Sequence, residues 1–591
     1  MRTRPLFDRA WSSLVAASRR DAAASGLWLA VTLSVALLCA VAMTVRGTII
    51  PFSIPDDARQ FLFWMADWRD SSLFQGDLLA EYWRSVSPWL FRAVYRVFDL
   101  AGIEPITTAR LLPLVLVPAT AYFAFRFVRT IAKDAFVACV GALAVLLFLV
   151  LEDTIVSATP RAFAPLFFLI FLDGFARRSP LPVAGAFLCL AGVYPHLAIV
   201  GVTVLVLSTV ELRGGLAGRP MIDLSWPTLR MVGAGTVAAI VGVIPFVLDS
   251  NRFGPVVTPR LALQFPTFFP GGRVRLFQPD GSIDFACGPS TSFVPDFPGR
   301  SYLPLCTGYA SPVFWLVVAI LVAGPIILLV RRIRSSGREG SAIPFLVVVS
   351  SVVWFLIAVL VAFKLHEPNR FSIMTIPIVA AASIGILAGE AARDRLLVAN
   401  SNGNAGRAGI LLVGVCALVV AYGFALFVTL SKYYDTWHQS RLAAALSATP
   451  PQTMIAGFTN DVDFIPALAR RRILFSFEHA IPYHLGYYRQ IEARMRDMVE
   501  VELSPDPSVL AKLLTANGVD IYLVDAERLT TRTIPKRYAG MLGDFVDKAA
   551  GDAQRQTALA RLAPGCTLGS FDRVLELDAR CLVRAASSES G

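Results

Sequence analysis

Two adjacent carboxylates near the start of the chain, Asp56 and Asp57, have a spacing that suits acid–base chemistry. Neighbouring carboxylates repel each other, so both stay ionised only if a cation, a metal ion or hydrogen bonds compensate them. Such a pair can act as a general base or bind a divalent cation. It can equally be an aspartate at a helix N-cap followed by an exposed acid, and the pair alone does not decide between these interpretations.

Cationic side chains recur where apolar segments end. Lys364, His366 and Arg370 lie in one short segment, Arg161 follows a proline at the start of an apolar run, and His196 interrupts another run. Ionisable groups near membrane depth are costly, so by default they mark a functional site. A phosphate or pyrophosphate at the lipid–water boundary would compensate these cations. The alternatives are that Lys364 and Arg370 extend to lipid headgroups and that His196 is a hydrogen-bonded structural histidine.

A third group of polar residues, Glu478, His479 and His484, lies in the last third of the chain. These residue types can bind a metal ion or a substrate, but they do not make a complete ligand set, and a structural role is the alternative. The sequence has no Gly-rich phosphate loop, nucleophile elbow or zinc-ligand motif. A soluble enzyme that uses nucleotides is therefore disfavoured.

The composition places most of these residues in a membrane protein. Of 591 residues, 55% are hydrophobic and only 16% are charged, which is more apolar surface than a soluble fold can bury. The net charge is +11, but the basic residues cluster between apolar runs, where the positive-inside rule accounts for them. No basic-aromatic motif for nucleic acid is present, so no nucleic-acid partner is expected.

The apolar runs predict a transmembrane helical bundle, because a bilayer core about 30 Å thick needs roughly 20 apolar residues per helix. One long run, 181–210, is broken at Tyr194-Pro195-His196, and we expect two short helices there. With that break the prediction is eleven spans. The remaining runs cover residues 27–45, 108–128, 135–151, 161–176, 231–248, 311–330, 343–363, 371–389 and 408–430.

The distribution of basic residues predicts the orientation. Only a break at residues 194–196 places the basic segments 126–133, 177–178, 213–219, 331–338 and 393–407 together on the cytoplasmic side. The polar residues described above then lie on the other side. The chain is thus expected in the inner (plasma) membrane, with residues 1–26 cytoplasmic, 27–430 transmembrane and 431–591 an exported domain. Its two large exported loops are 46–107 and 250–310.

Two further features of the exported segments follow. Phe61, Trp64, Met65 and Trp68 share one face of a predicted helix, a pattern typical of a helix in the headgroup plane. In the C-terminal domain, strand-like runs at 454–458, 472–477 and 520–524 alternate with helical stretches around 462–470, 484–500 and 507–516. That alternation predicts a small α/β domain with a parallel sheet.

The cysteines agree with this orientation. Four of the eight lie within predicted spans. The other four lie in exported segments, where an oxidising compartment would join Cys287 to Cys306 and Cys566 to Cys581. The alternative is four unpaired thiols.

One span followed by a large loop that opens with an acidic pair, broken central helices and an exported C-terminal domain together resemble the GT-C class of integral-membrane glycosyltransferases. The likeness is to bacterial members that use polyprenyl-phosphate sugars. It covers nearly the whole chain, while the acidic pair is its one matching motif. The segments around Arg161, His196 and His366 are also similar to segments of bacterial multi-span proteins of uncharacterised activity.

The resemblance implies inverting transfer of a sugar from a polyprenyl-phosphate donor to an extracytoplasmic glycan, lipid or protein. Asp57 or Asp56 would accept the proton of the attacking hydroxyl. The cationic group would bind the donor phosphate. Some relatives bind a divalent cation, Mg²⁺ or Mn²⁺, and the residues leave this open. The implied donor phosphate-binding residues are Arg161, His196, Lys364, His366 and Arg370.

Two other functions are compatible with the same pattern. A flippase or transporter of a lipid-linked saccharide would use the broken helices as its gate. A non-catalytic scaffold of envelope polysaccharide assembly would use the exported domain to bind its partner. A polyprenyl-phosphate sugar that copurifies with the chain would argue against the scaffold, and sugar transfer in detergent would argue against the flippase.

Overall fold

The computed structural model describes residues 21–213, 219–285, 291–293, 312–334, 341–361, 364–401, 434–550 and 556–590. Four predicted features lie outside these ranges: the span 408–430, most of the N-terminal segment, and the cysteines Cys287 and Cys306. The predicted count of eleven spans and the first predicted disulfide therefore stay predictions.

The first part of the chain is one long helix followed by a folded loop. Helix α1 is apolar over most of its length, and the chain then turns into the short strand β1. Side chains of the loop helices are buried against the rest of the protein, Leu79 and Phe91 among them. The elements are α1 (Asp21–Ile49), β1 (Ser53–Pro55), α2 (Ala58–Leu62), a 3₁₀ helix (Phe63–Trp68), α3 (Leu78–Val86) and α4 (Trp89–Leu100).

The central part is a bundle of apolar helices, most of which begin with proline. Proline lacks the N–H that the first turn leaves unbonded, so it starts a helix without losing a hydrogen bond. The helices are α5 (Pro105–Leu111), α6 (Pro113–Ala132), α7 (Ala135–Leu151), α8 (Pro160–Ala176), α9 (Pro180–Val193) and α10 (Pro195–Leu207). The predicted break in 181–210 is confirmed, since α9 ends at Val193 and α10 begins at Pro195.

The rest of the bundle follows a short antiparallel hairpin. Its members are β2 (Val210–Arg213), β3 (Arg219–Ile222), α11 (Trp226–Ser250), α12 (Pro259–Ala262), α13 (Pro312–Arg334), α14 (Ile343–Val361) and α15 (Ile376–Ser401), with 3₁₀ turns at Asn251–Phe253, Pro266–Phe268 and Pro368–Phe371. Five helical stretches are long and apolar enough to cross a membrane: Ser25–Ile49, Pro105–Ala132, Trp226–Leu248, Ile343–Val361 and Pro368–Arg395. Shorter apolar helices, among them α9 and α10, pack between them.

The C-terminal part is an α/β domain with one mixed sheet. Its elements are β4 (Tyr434–Thr436), α16 (Ser440–Ala448), β5 (Met454–Gly457), β6 (Arg472–Ile473), α17 (Leu485–Leu503), α18 (Pro507–Ala516), β7 (Ile521–Asp525), α19 (Ala526–Thr531), α20 (Lys536–Leu542), α21 (Phe545–Ala550), α22 (Ala558–Leu562), β8 (Thr567–Phe571), β9 (Val574–Asp578) and α23 (Ala579–Ser590). The strand order is β6-β5-β7-β9-β8.

The predicted parallel strands are confirmed, because β6, β5 and β7 pair in parallel. The sequence did not predict the hairpin β8–β9, which pairs antiparallel with β7 and completes the sheet. The predicted disulfide Cys566–Cys581 is present and joins the turn before β8 to α23. The predicted helix around 462–470 is instead a 3₁₀ turn, Asn460–Asp463, followed by one π turn, Ile465–Ala469.

The predicted headgroup-plane helix is wrong. Residues 61–68 change from α to 3₁₀ geometry, and the C-terminal domain covers them. Trp64 is 1% exposed and Met65 fully buried, while Phe63 packs edge-on against His479 at 5.1 Å between ring centroids. The apolar face therefore packs inside the protein and does not lie in lipid.

Candidate functional site

The polar residues singled out in the sequence meet where helices of the bundle end. Helix α7 ends just before Glu152, α8 begins at Pro160, α9 gives way to α10 at Tyr194, and the segment 364–371 joins α14 to α15. The loop that follows α1 brings Asp57 to the same place. Three helix junctions and one loop thus form a single polar cluster.

Arg161 holds the centre of this cluster. Its Nη2 bonds Asp57 Oδ2 at 2.6 Å and Asp153 Oδ2 at 2.5 Å, so one guanidinium nitrogen joins two carboxylates from separate parts of the chain. Asp57 stands at the N-cap position of α2, but its side chain makes no capping hydrogen bond. The alternative for the pair, a helix cap followed by an exposed acid, is therefore wrong, since Asp56 pairs with Arg59 and Asp57 with Arg161.

The neighbouring acid, Glu152, is in a different state. Burial, and next the charge of Asp153, raise the pKa of Glu152 to about 8. Its Oε1 is buried and has no hydrogen-bond partner within the described ranges. At neutral pH Glu152 is therefore mostly protonated, while Asp153 contacts Arg161.

Arg370 lies beside Arg161 and forms an ion pair with a different acid, Glu367. Its Nη2 bonds Glu367 Oε2 at 2.8 Å, and Tyr483 of the C-terminal domain donates to Glu367 Oε1 at 2.7 Å. Arg370 is close enough to interact electrostatically with both Arg161 and Asp57. Asp57 and Arg370, from distant parts of the chain, thus lie in one cluster.

The two histidines of this region face each other. The rings of His196 and His366 are 5.5 Å apart at right angles, and Tyr483 packs on His366 at 4.8 Å. His366 Nδ1 accepts a hydrogen bond from the N–H of Glu367 at 2.9 Å, so its proton is on Nε2. Burial lowers the pKa of His366 to about 4. His366 is therefore a neutral hydrogen-bond donor at pH 7, and the expectation that it is a cation is wrong.

Lys364 is not part of the cluster. Its side chain is exposed, and no acid pairs with it in the part of the chain that the structure describes. Two of the five residues assigned to phosphate binding, Arg161 and Arg370, are thus cations inside the cluster.

Asp56 points away from Asp57. Its carboxylate contacts Arg59, whose Nη2 also bonds Asp435 at 2.8 Å in β4. Strand β1, directly before Asp56, pairs antiparallel with β4, and this fixes the direction of the turn. The two adjacent carboxylates therefore do not repel each other, because each has its own arginine.

The acids of the C-terminal domain continue from Asp56 toward the second large loop. Glu478 Oε2 accepts from Gln60 at 2.7 Å and from Arg273 at 2.8 Å. Its main-chain N–H donates to Asp463 Oδ1, and Arg537 bonds the other oxygen of Asp463 at 2.8 Å. These polar contacts tie the first loop, the second loop and the C-terminal domain together.

The predicted alternative for Glu478, His479 and His484, a structural role, agrees with their contacts. His479 is fully buried with Nδ1 against Ser476 Oγ at 2.8 Å, and His484 Nδ1 contacts the hydroxyl of Tyr82 at 3.1 Å. Burial is the main cause that lowers the pKa of His479 to about 3. The three side chains have separate partners and do not converge on one ligand.

The donor set does not fit a divalent cation. Asp57 and Asp153 are the two carboxylates that face each other, and the guanidinium of Arg161 lies between them. In the described ranges no three side chains of His, Cys, Asp or Glu come together as metal ligands. A metal ion would have to displace Arg161, so no step below is assigned to one.

Three residues of the cluster had no assigned role in the sequence. Asp153 lies in the turn after α7, and its contact with Arg161 closes the connection between α7 and α8, which both pack against α6. Glu367 lies in the segment that held the predicted cations. Tyr483, which bonds Glu367, comes from the C-terminal domain, and nothing in its local sequence signals that contact.

Comparison with known protein structures identifies the fold of this chain. No protein-family model and no curated protein sequence matches the chain. It is similar to the archaeal oligosaccharyltransferase AglB from Archaeoglobus fulgidus in complex with an inhibitory peptide and a dolichol-phosphate, at 11% identity and a TM-score of 0.50, over 88% of this chain and 72% of that chain.

Two further structures of the Archaeoglobus fulgidus oligosaccharyltransferase are similar. One is tethered to an acceptor peptide containing the NVT sequon via a disulfide bond, with 12% identity, a TM-score of 0.47 and coverage of 88% and 72%. The other is a complex with Zn and sulfate, with 12% identity, a TM-score of 0.45 and coverage of 88% and 70%. The fold assignment rests on the first structure.

The chain accordingly has the fold of a GT-C class membrane glycosyltransferase, as the resemblance in the sequence implied. Its five long apolar helices and this fold make it a multi-pass membrane protein. The bacterial branch, the orientation in the membrane and the roles of the site residues stay predictions.

Proposed function

We propose that this chain is an inverting membrane glycosyltransferase, which moves a sugar from a polyprenyl-phosphate donor to an extracytoplasmic glycan, lipid or protein. The observation that carries the proposal is the cluster in which Arg161 joins Asp57 to Asp153 with Arg370 beside it. It combines a carboxylate that can accept a proton with two guanidinium groups that can bind a phosphate. The archaeal enzyme whose fold it shares binds a dolichol-phosphate.

Arg161 and Arg370 would bind the donor phosphate. A guanidinium is a planar fork that matches two phosphate oxygens, and it stays charged at any physiological pH. The charges of these two arginines repel each other across the cluster. A phosphate between them relieves that repulsion, and the neutral His366 can add a hydrogen bond from Nε2.

Asp57 would act as the general base. When a donor phosphate takes hydrogen bonds from Arg161, the guanidinium compensates Asp57 less, and its carboxylate becomes available. The acceptor hydroxyl then attacks the anomeric carbon while its proton passes to Asp57. The bond from that carbon to the phosphate oxygen breaks, and the polyprenyl phosphate leaves with its negative charge held by Arg161 and Arg370.

Asp57 suits this role better than its neighbour. Asp56 faces the C-terminal domain and shares Arg59 with Asp435, whereas Asp57 faces the two arginines of the bundle. Asp56 is therefore assigned a positioning role, in which it holds the turn that presents Asp57. Lys364, exposed outside the cluster, is left to interact with lipid headgroups.

The opposite end of the bundle supports the proposed orientation. There Arg126 and Arg177 pair with Asp173, and Arg331 pairs with Glu390. Cations gathered at one end of the bundle mark the cytoplasmic side of a membrane protein. The cluster around Arg161 then lies on the non-cytoplasmic side, together with the C-terminal domain that touches it through Tyr483.

The decisive experiment uses the full chain in lipid nanodiscs. Wild type should copurify with a polyprenyl-phosphate sugar that mass spectrometry identifies, and should transfer that sugar to an added acceptor. Asp57→Asn should keep the bound lipid and lose about 10²–10⁴-fold of the transfer rate, as expected for a missing general base.

Asp70→Asn is the matched control, because Asp70 is an exposed acid of the same loop, bonded to Ser72. It should transfer at the wild-type rate. Full activity of Asp57→Asn would remove the general base from the proposal. A bound lipid-linked saccharide that is moved across the bilayer without transfer would indicate a flippase, and a chain without bound lipid would indicate a scaffold.

A further inference from the structure

A crevice of about 390 Å³ lies in the C-terminal domain, apart from the cluster around Arg161. It opens at the carboxyl ends of two neighbouring parallel strands, β5 and β7. Nine of its twelve lining residues have polar side chains, and Phe458, Pro535 and Val574 provide apolar surface. The polar residues include Thr459, Asn460, Asp461, Asp525, Arg528 and Arg573.

The topology of the sheet explains why a crevice forms there. From β5 the chain crosses to β6 on one side, whereas from β7 it continues to β8 and β9 on the other side. The connections that leave β5 and β7 therefore run in opposite directions and separate above the strand ends. Open α/β sheets bind ligands at such a point, outside the carboxyl ends of the strands.

The residues that line the crevice include both hydrogen-bond acceptors and hydrogen-bond donors. Asp461 Oδ1 accepts from the indole of Trp437 at 2.8 Å, which orients its carboxylate. Asp525 Oδ1 accepts the N–H of Glu527, and Arg573 lies 3.5 Å from the other oxygen of Asp525. Arg528 has its Nη1 buried without a hydrogen-bond partner in the described part of the chain.

The charged and hydroxyl-bearing residues that line the crevice indicate which class of ligand it can bind. Three carboxylates, Asp461, Asp525 and Glu527, make the crevice unfavourable for a phosphate or another anion. Two arginines and several hydroxyl groups make it equally unsuited to a simple cation. A neutral molecule with many hydroxyl groups can donate to the carboxylates and accept from Arg528. The volume lies within the range of small-molecule sites, about 300–1,000 Å³.

We propose that this crevice binds a saccharide, as a second sugar site separate from Asp57 and Arg161. Its assignment to the acceptor glycan rests on the proposed function, whereas the binding of a saccharide does not. The turn Asn460–Asp463 connects the two regions: Asp461 faces the crevice, and Asp463 interacts electrostatically with Arg59, the partner of Asp56. A glycan held in the crevice would thus contact the turn whose Asp463 interacts with Arg59.

The test measures saccharide binding to the full chain in nanodiscs, which avoids sugar-headed detergents. The probes are the methyl glycosides of glucose, mannose, galactose and arabinose, followed by saturation-transfer NMR. Wild type should give saturation transfer to at least one of them. The double variant Glu527→Gln/Arg573→Gln should bind that probe about tenfold more weakly, because hydrogen bonds from the rim are lost.

A second variant distinguishes a loss of saccharide binding from a folding defect. Thr531 is exposed at the rim, so Thr531→Trp should fill the entrance without disturbing the core. It should abolish binding while the melting temperature stays that of wild type. Asp547→Asn/Arg584→Gln is the matched control, since both side chains are exposed on the same domain away from the crevice, and it should bind like wild type.

The outcomes separate this site from the proposed function. Asp57→Asn should lose transfer and keep saccharide binding. Wild type that binds none of the four probes, or rim variants that bind as well as wild type, would overturn the crevice proposal and leave the transferase proposal standing. Rim-dependent binding by a chain that transfers no sugar would overturn the transferase alone.

Discussion

At the scale of single residues, the chemistry depends on which charge each side chain faces. Asp57 and Asp56 are adjacent in the chain, yet one faces Arg161 in the bundle and the other faces Arg59 and Asp435. Partly buried guanidinium groups that keep spare hydrogen-bonding capacity are suited to a phosphate. Arg161 and Arg370 are in that position, whereas Lys364 is exposed.

The difference between Arg370 and Lys364 is testable. Arg370→Gln removes one of the two guanidinium groups beside Asp57, and retention of a polyprenyl phosphate should fall about 10–100-fold, the equivalent of one charged hydrogen bond. Lys364→Gln removes an exposed cation from the same segment and should bind as wild type does. The measurement is titration of polyprenyl phosphate into nanodiscs, followed by native mass spectrometry. Equal losses in both variants would show that headgroup attraction, not the cluster, retains the lipid.

At the scale of secondary-structure elements, β5 depends on one glycine. Gly457 ends the strand with φ +147°, and a Cβ there would lie 2.1 Å from the carbonyl oxygen of Leu523 in β7. The two strands approach so closely at this point that only hydrogen fits. The same position begins the wall of the crevice, so strand pairing and the site share one constraint.

Replacing this glycine should therefore destabilise the C-terminal domain. Gly457→Ala forces β5 and β7 apart and places alanine at an unfavourable φ, so we expect the melting temperature to fall by about 5 °C or more. Gly565→Ala is the control, because a Cβ there meets nothing within 4 Å. Scanning calorimetry of the full chain measures both. An unchanged melting temperature for Gly457→Ala would mean that the strands can separate at little cost.

At the scale of the whole molecule, the first loop, the second loop and the C-terminal domain fold against each other on top of the bundle. Glu478 lies at their meeting point, bonded to Gln60 of the first loop and Arg273 of the second. Burial is the largest of several influences on this carboxyl and raises its pKa to about 7. Glu478 is therefore protonated in the folded chain over a pH range in which it is ionised in the unfolded chain.

This proton gives the stability a definite pH dependence. A glutamate of the unfolded chain has a pKa of about 4.3, so between about pH 4 and 7 the folded state binds more protons through Glu478 than the unfolded state. The contribution of Glu478 thus favours folding fully below that window and is lost as pH rises through it. Glu478→Gln, which mimics the protonated form, should match wild type at pH 5 and melt higher at pH 8.

Thermal unfolding of both proteins at the two pH values checks this expectation. A Glu478→Gln variant that melts lower than wild type at pH 8 would show that the ionised carboxylate and its contact with Arg273 stabilise the junction. Burial would then not be the dominant influence on Glu478.

The sequence by itself determined the features that depend on local patterns. Apolar runs predicted the helices, and Tyr194-Pro195-His196 predicted the break, because hydrocarbon accepts a backbone only when its own hydrogen bonds are satisfied. Alternating strand-like and helical runs predicted β5, β6 and β7. The accumulation of Asp57, Arg161 and Arg370 at helix ends followed from the same reasoning, since charged groups cannot remain in the apolar interior.

Only the tertiary structure decided which of these groups meet. Arg161 pairs with Asp153 because α7 and α8 both pack against α6, which brings the end of one near the start of the other. Asp56 turns from Asp57 because β1 pairs with β4, nearly four hundred residues later in the chain. Trp64 and Met65 have the pattern of a lipid-facing helix, but the C-terminal domain buries them. Such contacts depend on long-range packing, and local spacing carries no information about which distant surface will cover a side chain.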